Sequence, residues 1–299
     1  MNTSNRNNLM TLRAVIGLSL VSSPSYGVIF LGGNLANDAN WQGGSRPGAG
    51  EIGEIDVDGT LVIGNTLGQW ITGDPVLVIG GGATITAGDG VGIGVNASGD
   101  WGHTNATSST FNNATLNADD DIFANSSVIT FNVGSSGNAG DDFEANGLST
   151  ININGGTHTA GDFFGAQGNN TTSFGTLNLT GGMITAGQFR VADFGVWNLG
   201  GSTILTGGGT VDNLTGAVNI SNAWTGSWTI STLAGTDWET EVTGGDYTLN
   251  GVTVDAALFA SDFLVSPDGT TLSLNTIPEP SSALLSVLGL LGLLRRSRR

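Results

Sequence analysis

One spacing governs what this chain can become: an Asn held between apolar residues returns about every 20 positions through its middle. The members are Phe131-Asn132-Val133, Ile151-Asn152-Ile153, Leu177-Asn178-Leu179, Trp197-Asn198-Leu199 and Val218-Asn219-Ile220, with Phe111-Asn112 as a weaker first copy. From Asn112 to Asn219 the asparagines step by 20, 20, 26, 20 and 21. A second marker, Gly-Gly followed by a Thr-rich stretch ending in Ala-Gly, occupies 81–90, 155–164 and 181–189, and Ala87, Ala118, Ala139, Ala160 and Ala186 step by 31, 21, 21 and 26. Two markers that keep nearly one period identify a repeat array.

The triplets alternate with period two, the habit of a strand, which predicts Phe131 and Val133 on one side and Asn132 on the other. Gly-Gly supplies the positive φ values of a sharp turn. No stretch between 27 and 277 holds a 3.6-residue apolar period over three turns, so helices should be few. A unit of this size cannot bury its own apolar face, whereas stacked units can bury a continuous one. The expected fold is therefore all-β: a β-solenoid, most simply a parallel β-helix with coils of about 20 residues, whose equivalent side chains lie about 4.8 Å apart. Asn132, Asn152 and Asn178 should then stack as an amide ladder. A β-sandwich or a set of hairpins is the rival arrangement. The body is expected to divide into an N-terminal cap with the first strands (28–75), repeats (76–222), and C-terminal coils with a cap (223–276). Trp41 plugs one end; Trp224, Trp228 and Trp238 fall in the other.

Composition removes whole classes of chemistry. The chain has no cysteine, no lysine and two histidines, which excludes disulfide frameworks, thiolate nucleophiles, Schiff bases and Cys/His zinc centres. Eight arginines oppose 25 acidic residues, and only Arg46 and Arg190 lie between 27 and 277. Without clustered cations to displace counterions, nucleic acid is not an expected partner.

The two ends read as addresses. Residues 1–27 combine Arg6 and Arg13, the short apolar core 14–21 and a small-residue stretch to Gly27, the three parts of an export signal for a signal peptidase. Residues 277–299 run Ile277-Pro278-Glu279-Pro280, then the apolar 281–294, then Arg295, Arg296, Arg298 and Arg299 about Ser297. This order of Pro-Glu-Pro, apolar helix and basic tail resembles the PEP-CTERM sorting signal of Gram-negative bacteria. The resemblance implies transient insertion in the inner membrane, recognition by an exosortase, cleavage near Pro278 to Pro280, and release or transfer to the cell surface. It also implies association with exopolysaccharide and biofilm matrix. An apolar stretch of about 21 Å falls short of a hydrocarbon core of about 30 Å, which suits a temporary transmembrane helix. The opening 38–50, DANWQGGSRPGAG, resembles that of secreted repeat proteins of planctomycetes and verrucomicrobia, and the repeats are similar to autotransporter β-repeats.

Within the repeats, Asp89, Asp120, Asp141 and Asp162 recur at matching positions, beside Asp119, Asp121 and Asp142. Stacked carboxylates are weak candidates for a Ca2+ site, since the Gly-Gly-x-Gly-x-Asp calcium repeat is missing; no other cofactor is expected. Trp224 and Trp228, four apart on a strand, fit either a sugar platform or the core. A polysaccharide-modifying enzyme would assemble Asp141, Asp142, His158 and Arg190 across coils, but His158 stands where sibling repeats carry Ile85 and Ile184. The functional expectation is an exported, non-catalytic surface or extracellular-matrix component. The alternatives are a secreted polysaccharide-modifying β-helix enzyme and a sugar-binding adhesin.

Overall fold

The computed structural model describes residues 28–45 without 36, strand segments 52–55, 59–62, 84–87, 92–96 and 101–103, and residues 108–275 without 119, 171, 193, 209–210, 214–215 and 232–236. The export segment 1–27, the sorting segment 277–299 and Asp89 lie outside the described residues. The fold is a β-solenoid. From Ser108 to Asn213, five successive coils each lay one strand on each of three faces, in chain order first, second and third. The coil Ser108–Phe111, Thr115–Ala118 and Ile122–Asn125 is followed by Val128–Phe131, Ser136–Ala139 and Phe143–Asn146. Next come two unbroken extended runs, Thr150–Asn170 and Thr176–Ala192, each bending through all three faces, and then Val196–Leu199, Ile204–Gly207 and Val211–Asn213. Every strand pairs in parallel with its counterpart one coil away. Parallel pairing follows outward to the segments before Ser108 and to Ala217–Ile220 and Ser227–Ile230 after Asn213.

Period two sets what each face buries. Ile129, Ile151, Leu177, Trp197 and Val218 stack in register on the first face, all fully buried. Small residues on the second face face aromatics from the others: Ala118, Ala139, Ala160 and Ala186 form one column that continues through Gly207 to Ile230. A Cβ on Gly137 would meet the Phe131 and Phe143 rings at 2.8 and 3.0 Å, so glycine there is a packing requirement. Phe111 stacks on Phe131 at 4.7 Å, and aromatic contacts continue through Phe143, Phe164, Phe189 and Trp197 to Trp228, Trp238 and Tyr247. The interior is one continuous hydrophobic core.

Asparagines stack as hydrogen-bonded ladders, in two adjacent columns. In the first, Asn152 Nδ2 donates to Thr130 Oγ1, Asn178 to Asn152 Oδ1 at 2.8 Å, Asn198 to Asn178 at 2.7 Å and Asn219 to Asn198 at 2.9 Å. In the second, Asn132 donates to Asn112 at 2.6 Å and Asn154 to Asn132 at 2.9 Å, and Thr180 caps the row. The sequence alignment of Asn132 with Asn152 is thus two residues out: Phe131 pairs with Ile153, which carries Asn132 past the strand to the corner. For the same reason Val133 does not share the inward face of Phe131; it is 75% exposed. Ala87 also leaves its expected column, since Thr84–Ala87 pairs with Ser108–Phe111 on the first face, while Ala118 belongs to the second. The 26-residue step between Asn152 and Asn178 has a simple cause: Gly168–Phe174 leaves the stack as an antiparallel excursion.

Both ends of the core are covered. Phe30 and Trp41 bridge antiparallel with rings 5.1 Å apart, and the Trp41 indole N–H donates to the Leu35 carbonyl. At the far end Thr271–Leu274 pairs antiparallel with Ser227–Ile230, which halts parallel stacking on the second face. Two short helices, α1 (Trp238–Val242) and α2 (Ala256–Asp262), begin at aspartate caps: Asp237 accepts from the Thr240 N–H and Asp255 from the Leu258 N–H, each at 2.8 Å. They bury Trp238, Val242 and Phe259. Among the described residues no helix is long and apolar enough to cross a membrane.

Candidate functional site

Polar chemistry concentrates where the second face turns into the third. The Ala-x-Asp turns of successive coils superpose there, because the Asp141 N–H donates to the Asp120 carbonyl and the Asp162 N–H to the Asp141 carbonyl. Carboxylate oxygens of Asp120, Asp121 and Asp141 lie within 4.8 Å of one another, as do those of Asp141, Asp142 and Asp162. Part of this set is structural: Asp121 accepts from the backbone N–H of Asp142, and Asp142 from that of Phe163, each at 3.0 Å. Asp141 is exposed and Asp142 and Asp162 half-buried. Such a set has the hard oxygen donors for a divalent cation, and it serves equally as a solvated acidic edge.

Beside it on the third face stands Glu144, which the sequence reading passed over. It is buried, and its Oε2 accepts from Asn146 Nδ2 at 3.1 Å and Gln167 Nε2 at 3.2 Å. Burial pushes its carboxyl above the usual range, with Asp142 and Asp141 adding repulsion against the pull of Arg190. Asp142 is also raised by burial, opposed by its hydrogen bond from Phe163. Arg190 sits on the same face, its guanidinium 5.0 Å above the Phe163 ring. The signal that could have found Glu144 is its place two residues after Asp142 on a strand edge, with Arg190 two coils above in the same column through Gly165.

The remaining expected residues go elsewhere. His158 is fully buried between Phe131 and Phe143, at ring distances of 5.0 and 6.2 Å. Its Nδ1 accepts from the Gly137 N–H at 3.0 Å, so Nε2 carries the proton and donates to the Gly155 carbonyl at 2.9 Å. Burial lowers its pKa to about 4, so it is neutral at pH 7. It does not join Asp141, Asp142 and Arg190. Trp224 and Trp228 are likewise buried, taking the core side of the two readings their spacing allowed and leaving no ring face for a sugar platform. Trp228 stacks on Trp197 at 5.5 Å, and Trp224 Nε1 donates to the Thr203 carbonyl at 2.8 Å. Trp228 packs inward because neighbouring coils already hold Phe189 and Trp197 at that depth.

Comparison with known proteins bears on the C-terminus. A family model described as the PEP-CTERM protein-sorting motif matches residues 276–299. No curated protein and no solved structure matches the chain. The motif marks an exported, surface-sorted protein that an exosortase processes during export.

Proposed function

We propose that the chain is a non-catalytic component of the cell surface or extracellular matrix, associated with exopolysaccharide. The observation that carries this reading is the sorting motif at 276–299 attached to a body built by stacking. Before cleavage near Pro278 to Pro280, the apolar stretch 281–294 holds the protein briefly in the inner membrane, and Arg295, Arg296, Arg298 and Arg299 keep its end on the cytoplasmic side. Signal peptidase removes 1–27. The resemblance of 38–50 to openings of planctomycete and verrucomicrobial secreted repeat proteins, and of the coils to autotransporter repeats, supports the same reading.

A non-catalytic role agrees with the fate of His158, which is neutral and enclosed. The enzyme alternative keeps one specific observation in its favour, the raised carboxyls of Asp142 and Glu144 near Arg190. Mass spectrometry of protein from the medium and the cell surface tests the sorting: mature ends near Ser25 and Pro278 are expected, and intact ends would sink it. Reducing-sugar release from exopolysaccharides that Glu144→Gln abolishes would replace the scaffold with an enzyme.

A further inference from the structure

Charge is distributed unevenly around the solenoid. From Ser108 to Ile230 the first face, the second face and the corner between them carry one ionisable side chain, the enclosed His158. Among the described residues the acidic groups of the same coils, Asp120, Asp121, Asp141, Asp142, Glu144, Asp162 and Asp212, stand on the third face or its corner. In a chain of net charge −17 this leaves one edge uncharged along the coils from Ser108 to Ile230, with Glu54 entering the first-face column two coils earlier.

Two shallow depressions, wide open to solvent, lie along that edge. One of about 450 Å3 is lined by Asn112, Asn113, Asn132 and Val133. A second, of about 410 Å3, lies three coils on among Asn198, Gly200, Asn219, Ser221 and Asn250. The corner ladder Asn112, Asn132, Asn154 and Thr180 joins them, with Thr180 lining the second depression. The ladder bonds engage one N–H and one lone pair of an amide that has two of each. Val133, 75% exposed, adds an apolar wall, and Met183 and Ile204 are exposed beside the corner.

We propose that this corner is a binding groove for an extended, uncharged polysaccharide, lying along the solenoid axis. Amides, hydroxyls and short apolar walls are the chemistry that grips sugar hydroxyls and C–H faces. The coil repeat of about 4.8 Å is close to the advance per ring of an extended β-1,4-linked hexose chain, so a few alternately flipped rings step along successive coils nearly in register. An anionic polymer finds no cation there and meets the molecule's negative field. A protein partner is disfavoured because among the described residues the two faces expose no aromatic or arginine anchor. The groove names a ligand class for the matrix association proposed above and rests on that reading only for where the ligand is met.

Native-gel retardation of the full chain by hydroxyethylcellulose, with carboxymethylcellulose as the same backbone made anionic, tests the groove. Retardation by the neutral polymer alone is expected. Gly200→Glu puts a charge in the second depression where a Cβ meets nothing nearer than Ser221 Cβ at 3.7 Å, and should weaken retention about tenfold. Gly200→Ala and Asp141→Asn should retain it, with circular dichroism showing all three variants folded. No retardation by hydroxyethylcellulose, equal retardation by both polymers, or full retention in Gly200→Glu overturns the proposal. So does a concentration-dependent dimer that Gly200→Glu disperses, which would make a second copy the occupant. A chain that is sorted as proposed yet fails on the gel refutes the groove and leaves the matrix reading standing.

Discussion

At the scale of single residues, the structure turns two titratable groups into liabilities that depend on pH in opposite ways. His158 titrates near 4 when folded and near 6.5 when unfolded, so above pH 6.5 both states are neutral and nothing is lost. Between 6.5 and 4 the unfolded chain takes up a proton that the folded one refuses, and stability falls by up to about 3 kcal/mol. His158→Leu leaves the Gly137 N–H without its acceptor and should cost about 1–3 kcal/mol at pH 7.5. The deficit should shrink or reverse at pH 4, read from melting curves of both proteins; a constant gap would contradict the buried neutral tautomer. Glu144 has its carboxyl raised by burial, so its charge is a cost above the folded pKa and none below the unfolded 4.5. Glu144→Gln should raise the melting temperature at pH 7 by about 2–4 °C, equivalent to about 1 kcal/mol, and leave it unchanged at pH 4. Neither role was legible in sequence. An isolated His in THTAG and a Glu in FEAN look alike wherever they point, and only the rings of Phe131 and Phe143 and the amide of Gln167 decide.

At the scale of the element, a coil is held to the next by backbone pairing and by its ladder. Asn178 both donates to Asn152 and accepts from Asn198. Asn178→Ala should therefore destabilise by about 1–2 kcal/mol. Asn178→Thr should cost less, because Thr130 and Thr248 already close this ladder at its two ends; chemical denaturation midpoints of the two variants compare them. Turns are under tighter control. Gly156 lies at φ +90, and a Cβ there would run into the Ser135 carbonyl oxygen of the preceding coil. The Gly-Gly signal thus had a second cause beyond φ, the closeness of stacked backbones, which sequence alone could not weigh.

At the scale of the whole molecule, a parallel stack presents unpaired edges at each end, and those edges invite further strands. Here the antiparallel Thr271–Leu274 and the two capped helices close the C-terminal end. A chain ending at Ser231 should expose Ser227–Ile230 and pass from monomer to thioflavin-positive aggregate, followed by size exclusion and fluorescence; a soluble monomer would deny the cap this role. The period of the asparagines, the Gly-Gly turns and the lack of helical periodicity were enough to specify a solenoid of about 21-residue coils, because a strand repeat too small to enclose a core must stack. The C-terminal address was legible for a different reason, being a linear signal read without folding. Which asparagines share a column was settled only by register, since a slip of two residues keeps every side chain on its face and so leaves the hydrophobic pattern unchanged. The repeat spacing already aligned Asp120, Asp141 and Asp162, but only tertiary structure brought buried Glu144 and Arg190 to that edge and left the opposite corner uncharged, because those residues become neighbours only once the coils close.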